Sequence, residues 1–502
     1  MDRRCFLKIA ALSSASAALL SPAPGAIARG IPAQDFPGGP LGKCYAPPNN
    51  PVILTTLTDL FKIGPGPSSS HTIAPLRIAS NFRETVAALP AETLNQAQSI
   101  QAHLFGSLSA TGRGHRTDRA ILAGLMGQKP DTCDTALMDQ LEDTQRSYTT
   151  QIGGKTFTVD QSTIVWDQVK HTYPFSNTLI MRLMGPDATV LFEREYYSPG
   201  GGFFQWKGQP AADRGQPVYP YGNMAAFKQL ARDRQKNLDE ILLENEKAIL
   251  KVGDAEILAH LDQVLSTMEN GVNQGLSEEG VLPGPFPVYR RAKRLYQSAQ
   301  NASDGDGFMN RLSSYALAVS EGNAAGRLAV TAPTLGSAGT LPALVYLMKH
   351  QLKFSQDAMR QGLLAAGLVG FLCKNNASVA GAEVGCQGEI GVASAMAAAM
   401  LAHASGAPLD TTEIAATSAL EHHLGMSCDP VGGFVLIPCI ERNAFGAIKA
   451  YNAYLLAKNE IATQHWEDLD RVILAMLETG RALPAPFKEM GTAGLGVTMV
   501  NC

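Results

Sequence analysis

The amino-acid sequence predicts an α+β protein, with an N-terminal α/β domain followed by a larger helical domain. Three observations carry this prediction. Thr156–Val165 and Leu179–Tyr197 are rich in β-branched and aromatic residues, and Gly185-Pro186-Asp187 splits the second stretch into two arms. From Met224 onward, Leu and Ile recur at helical spacing among charges. Gly391–His403 is dominated by Ala, Gly and Ser, which suits a helix packed closely against its neighbours.

The elements follow in order. Residues 1–28 read as an export signal. Asp2-Arg3-Arg4-Cys5-Phe6-Leu7-Lys8 precedes a mildly apolar run from Ile9 to Leu20, Pro22 and Pro24 break that run, and Ala26-Ile27-Ala28 supplies a small-residue cleavage site. The paired arginines resemble a twin-arginine signal, which exports proteins already folded. That implies export machinery for folded proteins as a partner and a periplasmic or otherwise exported location. A chance basic start would instead leave the chain in the cytoplasm. Residues 29–50, rich in Pro and Gly, read as a linker. The α/β domain is expected over 51–220. In it, Val52–Phe61 reads as a short helix stopped by Gly64-Pro65-Gly66-Pro67, and Ile73–Leu89 as a helix with Pro75 in its first turn and Pro90 beyond its end. Gly200-Gly201-Gly202 follows the second β-rich stretch. The helical domain is expected over 221–502, with helices at Met224–Ile249, Ala255–Val272, Met309–Glu321, Gln361–Leu372 and Gly391–His403.

Composition narrows the function classes. Hydrophobic residues make up 45% and charged residues 17%, as in a globular protein with a large core. A net charge of −4 without a long basic run gives no support for nucleic-acid binding. Beyond the N-terminus no apolar stretch is long enough to demand a stable membrane anchor. The eight cysteines, at 5, 44, 133, 373, 386, 428, 439 and 502, gather towards the end of the chain. A dense disulfide framework would distribute them differently, although a disulfide-bonded secreted protein stays open at this point.

Four constellations carry candidate chemistry. In Gly66-Pro67-Ser68-Ser69-Ser70-His71-Thr72 a rigid turn leads hydroxyls and an imidazole to a helix start, which suits a carboxylate; a plain N-cap is the bland alternative. In Phe105–Asp118, glycines permit close backbone approach and His115 is a possible base or donor, with Arg113 and Arg116 able to pair with an anion; a capping loop with an exposed His is the alternative. Thr331-Ala332-Pro333-Thr334-Leu335-Gly336 is a small-residue loop ahead of an apolar helix, and spacing alone leaves it either a ligand cradle or an ordinary tight loop. Cys386, Cys428 and Cys439 lack the compact C-x-x-C spacing of ferredoxins or zinc ribbons, but Gly, Pro, Asp429 and Glu389 around them imply irregular backbone whose N–H groups can face sulfur.

Taken together these segments resemble the iron–sulfur L-serine dehydratases, also called L-serine ammonia-lyases. The matching residues are Gly66–Thr72, Leu104–Leu108 with Thr111–Asp118, Tyr196–Gly202, Thr331–Thr334, Asn376–Ser378 with Gly381–Glu389, Glu421–Gly425, Cys428–Gly433 and Pro438–Asn443. The resemblance implies a first domain like the substrate-sensing domain of some phosphoglycerate dehydrogenases, an all-helical second domain and a homodimer. It implies a [4Fe–4S] cluster on Cys386, Cys428 and Cys439, with Cys502 covering the fourth iron until substrate displaces it. It also implies Lewis-acid-assisted dehydration of L-serine, the aminoacrylate product hydrolysing to pyruvate and ammonia. His71 and His115 are the acid–base candidates, the base between them left open. Ser68, Ser69, Ser70, Thr72, Ser107, Thr331, Thr334 and Asn376 are the candidate substrate residues.

Two features depart from the family's pattern: the signal-like start, and Leu335 where the family usually has Asn. The second motivates an alternative substrate, threonine, cysteine or a 3-hydroxy acid. No convincing Schiff-base lysine motif supports a pyridoxal-phosphate enzyme, so no PLP is expected.

Overall fold

The computed structural model describes residues 51–210 and 213–499. The expected signal (1–28), the linker (29–50) and Cys502 lie outside the described residues. An N-terminal α/β lobe and a mostly helical C-terminal lobe follow one another, as the sequence predicts.

The α/β lobe is built on a five-stranded sheet in the order β5-β2-β6-β7-β8. Its strands are β2 (Ser99–Gly106), β5 (Ile164–Trp166), β6 (Asn177–Met184), β7 (Val190–Tyr197) and β8 (Gln205–Trp206). β2 and β5 run parallel; the other neighbours are antiparallel. β2 alternates inward Ile100, Ala102 and Leu104 with half-exposed or exposed neighbours, the period of a strand with one buried face. The helices Ala74–Ala87 and Thr117–Leu125 bury Leu76, Phe82 and Ile121 in the same core as Leu104, Leu179 and Tyr196. β3 (Tyr148–Ile152) and β4 (Lys155–Val159) form a separate hairpin. The expected Thr156–Val165 strand is therefore two elements: Asp160 caps a short turn after β4, and β5 joins the other sheet.

The helical lobe surrounds a second core containing Phe227, Phe371, Leu344 and Met396. The expected Met224–Ile249 helix is two, Met224–Arg234 and Leu238–Leu250. Gln235 breaks it at a left-handed φ of 51°, and the Asn237–Glu240 capping box restarts it. The expected Val52–Phe61 helix shrinks to Leu57–Leu60, which Thr56 caps. The lobe is also not wholly helical. Its strand β9 (Leu328–Val330) pairs antiparallel with β1 (Ile63–Pro65) from the other end of the chain, which brings the Ser68–Thr72 turn beside the helical lobe.

Candidate active site

Two turns from the α/β lobe present the imidazoles. Ser68 has extended backbone, and its Oγ accepts the His71 N–H at 3.2 Å, starting a π-turn at Ser69–Ile73 that runs into Ala74–Ala87. Asn323 Nδ2 donates to the carbonyls of Pro67 (2.9 Å) and Leu335 (3.0 Å), tying this turn to the loop after β9. A Cβ on Gly66 would lie 2.0 Å from the Asn323 carbonyl, so that close approach requires glycine. His115 arrives on the turn between Ser107–Thr111 and Thr117–Leu125. The two turns clamp each other: Thr72 Oγ1 donates to the His115 carbonyl and Thr117 Oγ1 to that of His71, each at 2.7 Å. The rings lie 4.5 Å apart between centroids, both fully or almost fully buried.

The hydrogen-bond inventory assigns the tautomers. Ser107 Oγ gives its proton to the Glu489 carbonyl (2.9 Å), and Thr111 Oγ1 gives its own to the Ser107 carbonyl (3.0 Å). Each can then only accept from His71 Nε2, at 3.1 and 3.2 Å. His71 therefore carries its proton on Nε2, and Nδ1 accepts from Ser70 Oγ at 2.8 Å. His115 donates from Nδ1 to the Thr111 carbonyl (2.8 Å), and its Nε2 makes no hydrogen bond to the described residues. Burial, and after it the neighbouring His115, holds His71 well below the usual imidazole value; burial pushes His115 down to about 4. Both rings are neutral at pH 7, and His115 Nε2 holds the uncommitted lone pair.

The helical lobe supplies sulfur. Cys386 precedes a π-turn at Gln387–Gly391, and Cys439 opens the helix Cys439–Lys458. Cys428 is held by a parallel bridge to Lys488, its N–H donating to the Phe487 carbonyl and its carbonyl accepting from Glu489 N–H at 2.7 Å. All three are free thiols. The Cys386 and Cys428 sulfurs and a Glu389 carboxylate oxygen lie within 4.8 Å of one another. Both thiols face Glu389 Oε2, at 3.8 and 3.9 Å, while Oε1 accepts from Thr334 Oγ1 at 2.7 Å. Burial and then the charge of Cys386 raise the Cys439 thiol, which places it in the same field. Arg442 borders the group, donating to the Ser427 carbonyl (2.8 Å) and to Asp429 (3.2 Å).

Glu489 joins the two halves. Its Oε1 lies 3.6 Å from His71 Nδ1, and its Oε2 is buried without a partner among the described residues. Burial pushes its carboxyl up to about 8, with the charge of Cys386 adding to the rise, so it is mostly protonated at pH 7. Burial and then Glu489 likewise push Glu389 up to about 7.

The donor set fits an iron–sulfur group. Soft thiolates select such clusters, and the orphaned Glu489 oxygen lacks a partner the described residues do not provide. The cradle is also kept clear: a Cβ on Gly381 would lie 2.8 Å from Glu389 Oε2 and 3.1 Å from the Cys428 sulfur, and one on Gly336 would lie 2.9 Å from Glu389 Oε1.

Residues 56–209 match the family described as serine dehydratase beta chain, and residues 233–496 match serine dehydratase alpha chain. The chain belongs to the serine dehydratase family. It is 38% identical to the L-serine dehydratase of Haemophilus influenzae over 460 residues, covering 89% of this chain and 100% of that protein. It is 38% identical to the L-serine dehydratase of Streptomyces coelicolor over 459 residues, 88% of this chain and 99% of that one. With L-serine dehydratase 2 of Escherichia coli it shares 37% identity over 462 residues, 89% of this chain and 100% of the relative. These similarities make the chain an enzyme of the family's lyase type.

Within this serine dehydratase fold, the structure brings together most of the residues singled out from the sequence. Ser68, Ser70, Thr72, Ser107, His71 and His115 share one network, and Thr334 reaches the thiol group through Glu389. Ser69 is buried in the same turn, and its hydroxyl makes no hydrogen bond to the described residues. Two expected substrate residues serve the backbone instead. Thr331 Oγ1 donates to the Leu60 carbonyl and accepts from Lys62 N–H at 2.8 Å, fixing the end of β9. Asn376 Nδ2 donates to the Gly222 carbonyl at 2.9 Å. Leu335 is buried in the helical core. Glu489, Thr111 and Asn323 were not expected in the site. Thr111 lies inside a matched motif, but no local sequence signal surrounds Glu489.

Proposed function

We propose that this enzyme is an L-serine ammonia-lyase that converts L-serine to pyruvate and ammonia, with Cys386, Cys428 and Cys439 holding a [4Fe–4S] cluster and Cys502 covering its open position at rest. The observation that carries the reading is Glu489, whose backbone is bonded to Cys428 while its carboxyl faces His71. Acid–base groups and sulfur ligands thus share one pocket. When bound, the cluster supplies an iron without a fixed protein ligand, a Lewis acid for the substrate hydroxyl.

The chain's residues supply the rest. The Ser69 hydroxyl and the N-terminal amides of the π-turn hold the substrate carboxylate. His115 Nε2 takes the Cα proton, since it alone of the two rings keeps a free lone pair. Ser107 and Thr111 hold His71 in one tautomer against Ser70. The Glu489 carboxyl gives the proton with which the substrate hydroxyl departs as water. The aminoacrylate left behind tautomerises and takes up water, releasing pyruvate and ammonia. With Leu335 in the core, nothing at that position calls for a substrate other than serine. A panel of L-serine, L-threonine and L-cysteine, assayed anaerobically for keto acid and ammonia, tests this. Serine is expected to give the highest kcat/KM; a higher value for either competitor overturns the substrate assignment.

The twin-arginine-like residues at 1–28 support export of the folded enzyme, and the family resemblance supports a homodimer. Cell fractionation and light scattering test the two. Mature protein confined to the cytosol contradicts the first, and a monomer at micromolar concentration contradicts the second.

A further inference from the structure

A second polar cavity, of about 240 Å³, is lined by Asp59, Lys62, Arg77, His260 and Gln263, none of them from the thiol group. Basic groups outnumber acids here. Lys62, Arg77, Arg214 and Lys374 gather around Asp59, Asp59 is already paired with Arg214, and burial holds Lys62 well below the usual lysine value, which leaves Arg77 as the permanent cation on the cavity wall. Asp131 at the cavity wall is exposed. The nearby Glu246 is pushed up to about 8 by burial, so it adds little negative charge at pH 7.

The protein satisfies only some of these cations. Lys62 donates to the carbonyls of Asp59 and Gly201 and lies 3.5 Å from the Phe203 ring centroid, so its donors are occupied. Arg77 spends Nη1 on the Gly202 carbonyl at 2.7 Å, and its Nε and Nη2 make no hydrogen bond to the described residues. His260 Nε2, on the same cavity, is buried without a partner among the described residues. A guanidinium with spare donors and an imidazole with an unpartnered nitrogen therefore line one space sized for a small molecule.

We propose that this cavity is a second binding site, for a small organic acid whose carboxylate pairs with Arg77 and whose other polar end meets His260. The site goes beyond the proposed reaction and does not depend on it. A bound carboxylate offsets the cationic excess that, after burial itself, presses on Lys62. Its position adjoins the turn that carries His71. Ile73 walls the cavity and closes the π-turn that carries His71, and Arg77 lies on the helix that continues that turn.

The test is titration calorimetry on the anaerobically purified full chain without serine, with malonate and succinate as probes. At least one acid is expected to bind. Arg77→Gln and the cavity-filling His260→Phe are each expected to weaken that binding at least about tenfold, the loss of one charge-assisted contact or of the space itself. Serine turnover without added acid is expected to stay within about twofold of wild type in whichever variants fold. Absence of binding by both acids to the wild type, or unchanged affinity in either variant, overturns the proposal.

Discussion

Glu489 and His71 approach to 3.6 Å, carboxyl oxygen to Nδ1, although they come from opposite ends of the described chain. The backbone of Glu489 is bonded to Cys428 at 2.7 Å, and its carbonyl takes the proton of Ser107, whose oxygen faces the other nitrogen of the same ring. One residue thus sets the spacing between the imidazoles and the thiols. Glu489→Gln keeps the shape and removes the carboxyl proton. It is expected to lower kcat by about 10²-fold or more, the usual share of a positioned proton donor, with bound iron unchanged. Iron analysis beside steady-state kinetics checks this; loss of iron would make Glu489 a support of the cluster rather than an acid.

His115 is expected to act as the base. His115→Ala should lower kcat by about 10²–10⁴-fold and leave the visible absorbance of the cluster in place. In the wild type the imidazole is held down to about 4, so its lone pair persists as pH falls below the 6.5 of a free histidine. The acid limb of kcat/KM against pH is expected nearer the lower value. A limb at 6.5 would indicate another base.

Gly381 keeps space open beside Cys428 and Glu389. Gly381→Ala places a methyl group 3.1 Å from the sulfur, closer than ordinary contact. The variant is expected to fold, with a circular dichroism spectrum like wild type, but to bind much less iron and sulfide after anaerobic reconstitution. Full loading would show that the cradle has more room than this geometry gives.

Thr331 and Thr334 separate structure from function within one motif. Thr331→Ala leaves a buried carbonyl and a part-buried N–H without their hydroxyl and is expected to cost about 1–3 kcal/mol of stability, with KM for serine unchanged. Thr334→Ala removes the donor to Glu389 and is expected to change turnover more than stability. Thermal denaturation and KM for both variants check the pair. A raised KM in Thr331→Ala would return that residue to the substrate site.

These residues also show what the sequence could and could not convey. The Ser68–Thr72 turn was legible because Gly66, Pro67 and the serines each constrain the backbone locally. Thr331 and Thr334 share a motif, yet the chain turns between them and sends the first hydroxyl to backbone beside a strand and the second to Glu389, a split that spacing alone does not reveal. The Met224–Ile249 break lay in view as the Asn237–Glu240 capping box, but the apolar spacing runs smoothly through it. β2 alternates clearly, yet the sequence expectations hold no strand over 99–106, and Gly106 and Ser107 at its end turn directly into a short helix. Glu489 could not be found locally, because its place depends on a long-range bridge between Cys428 and Lys488.

In the proposed function, serine elimination depends on a cluster held by Cys386, Cys428 and Cys439. The most direct measurement is pyruvate formation from L-serine by the anaerobically purified enzyme, before iron removal by a chelator, after it, and again after reconstitution with iron and sulfide. Activity is expected to vanish with the iron, to return in proportion to the iron rebound, and not to return in Cys428→Ser. Full activity in iron-free enzyme, or activity restored by pyridoxal phosphate alone, would contradict it.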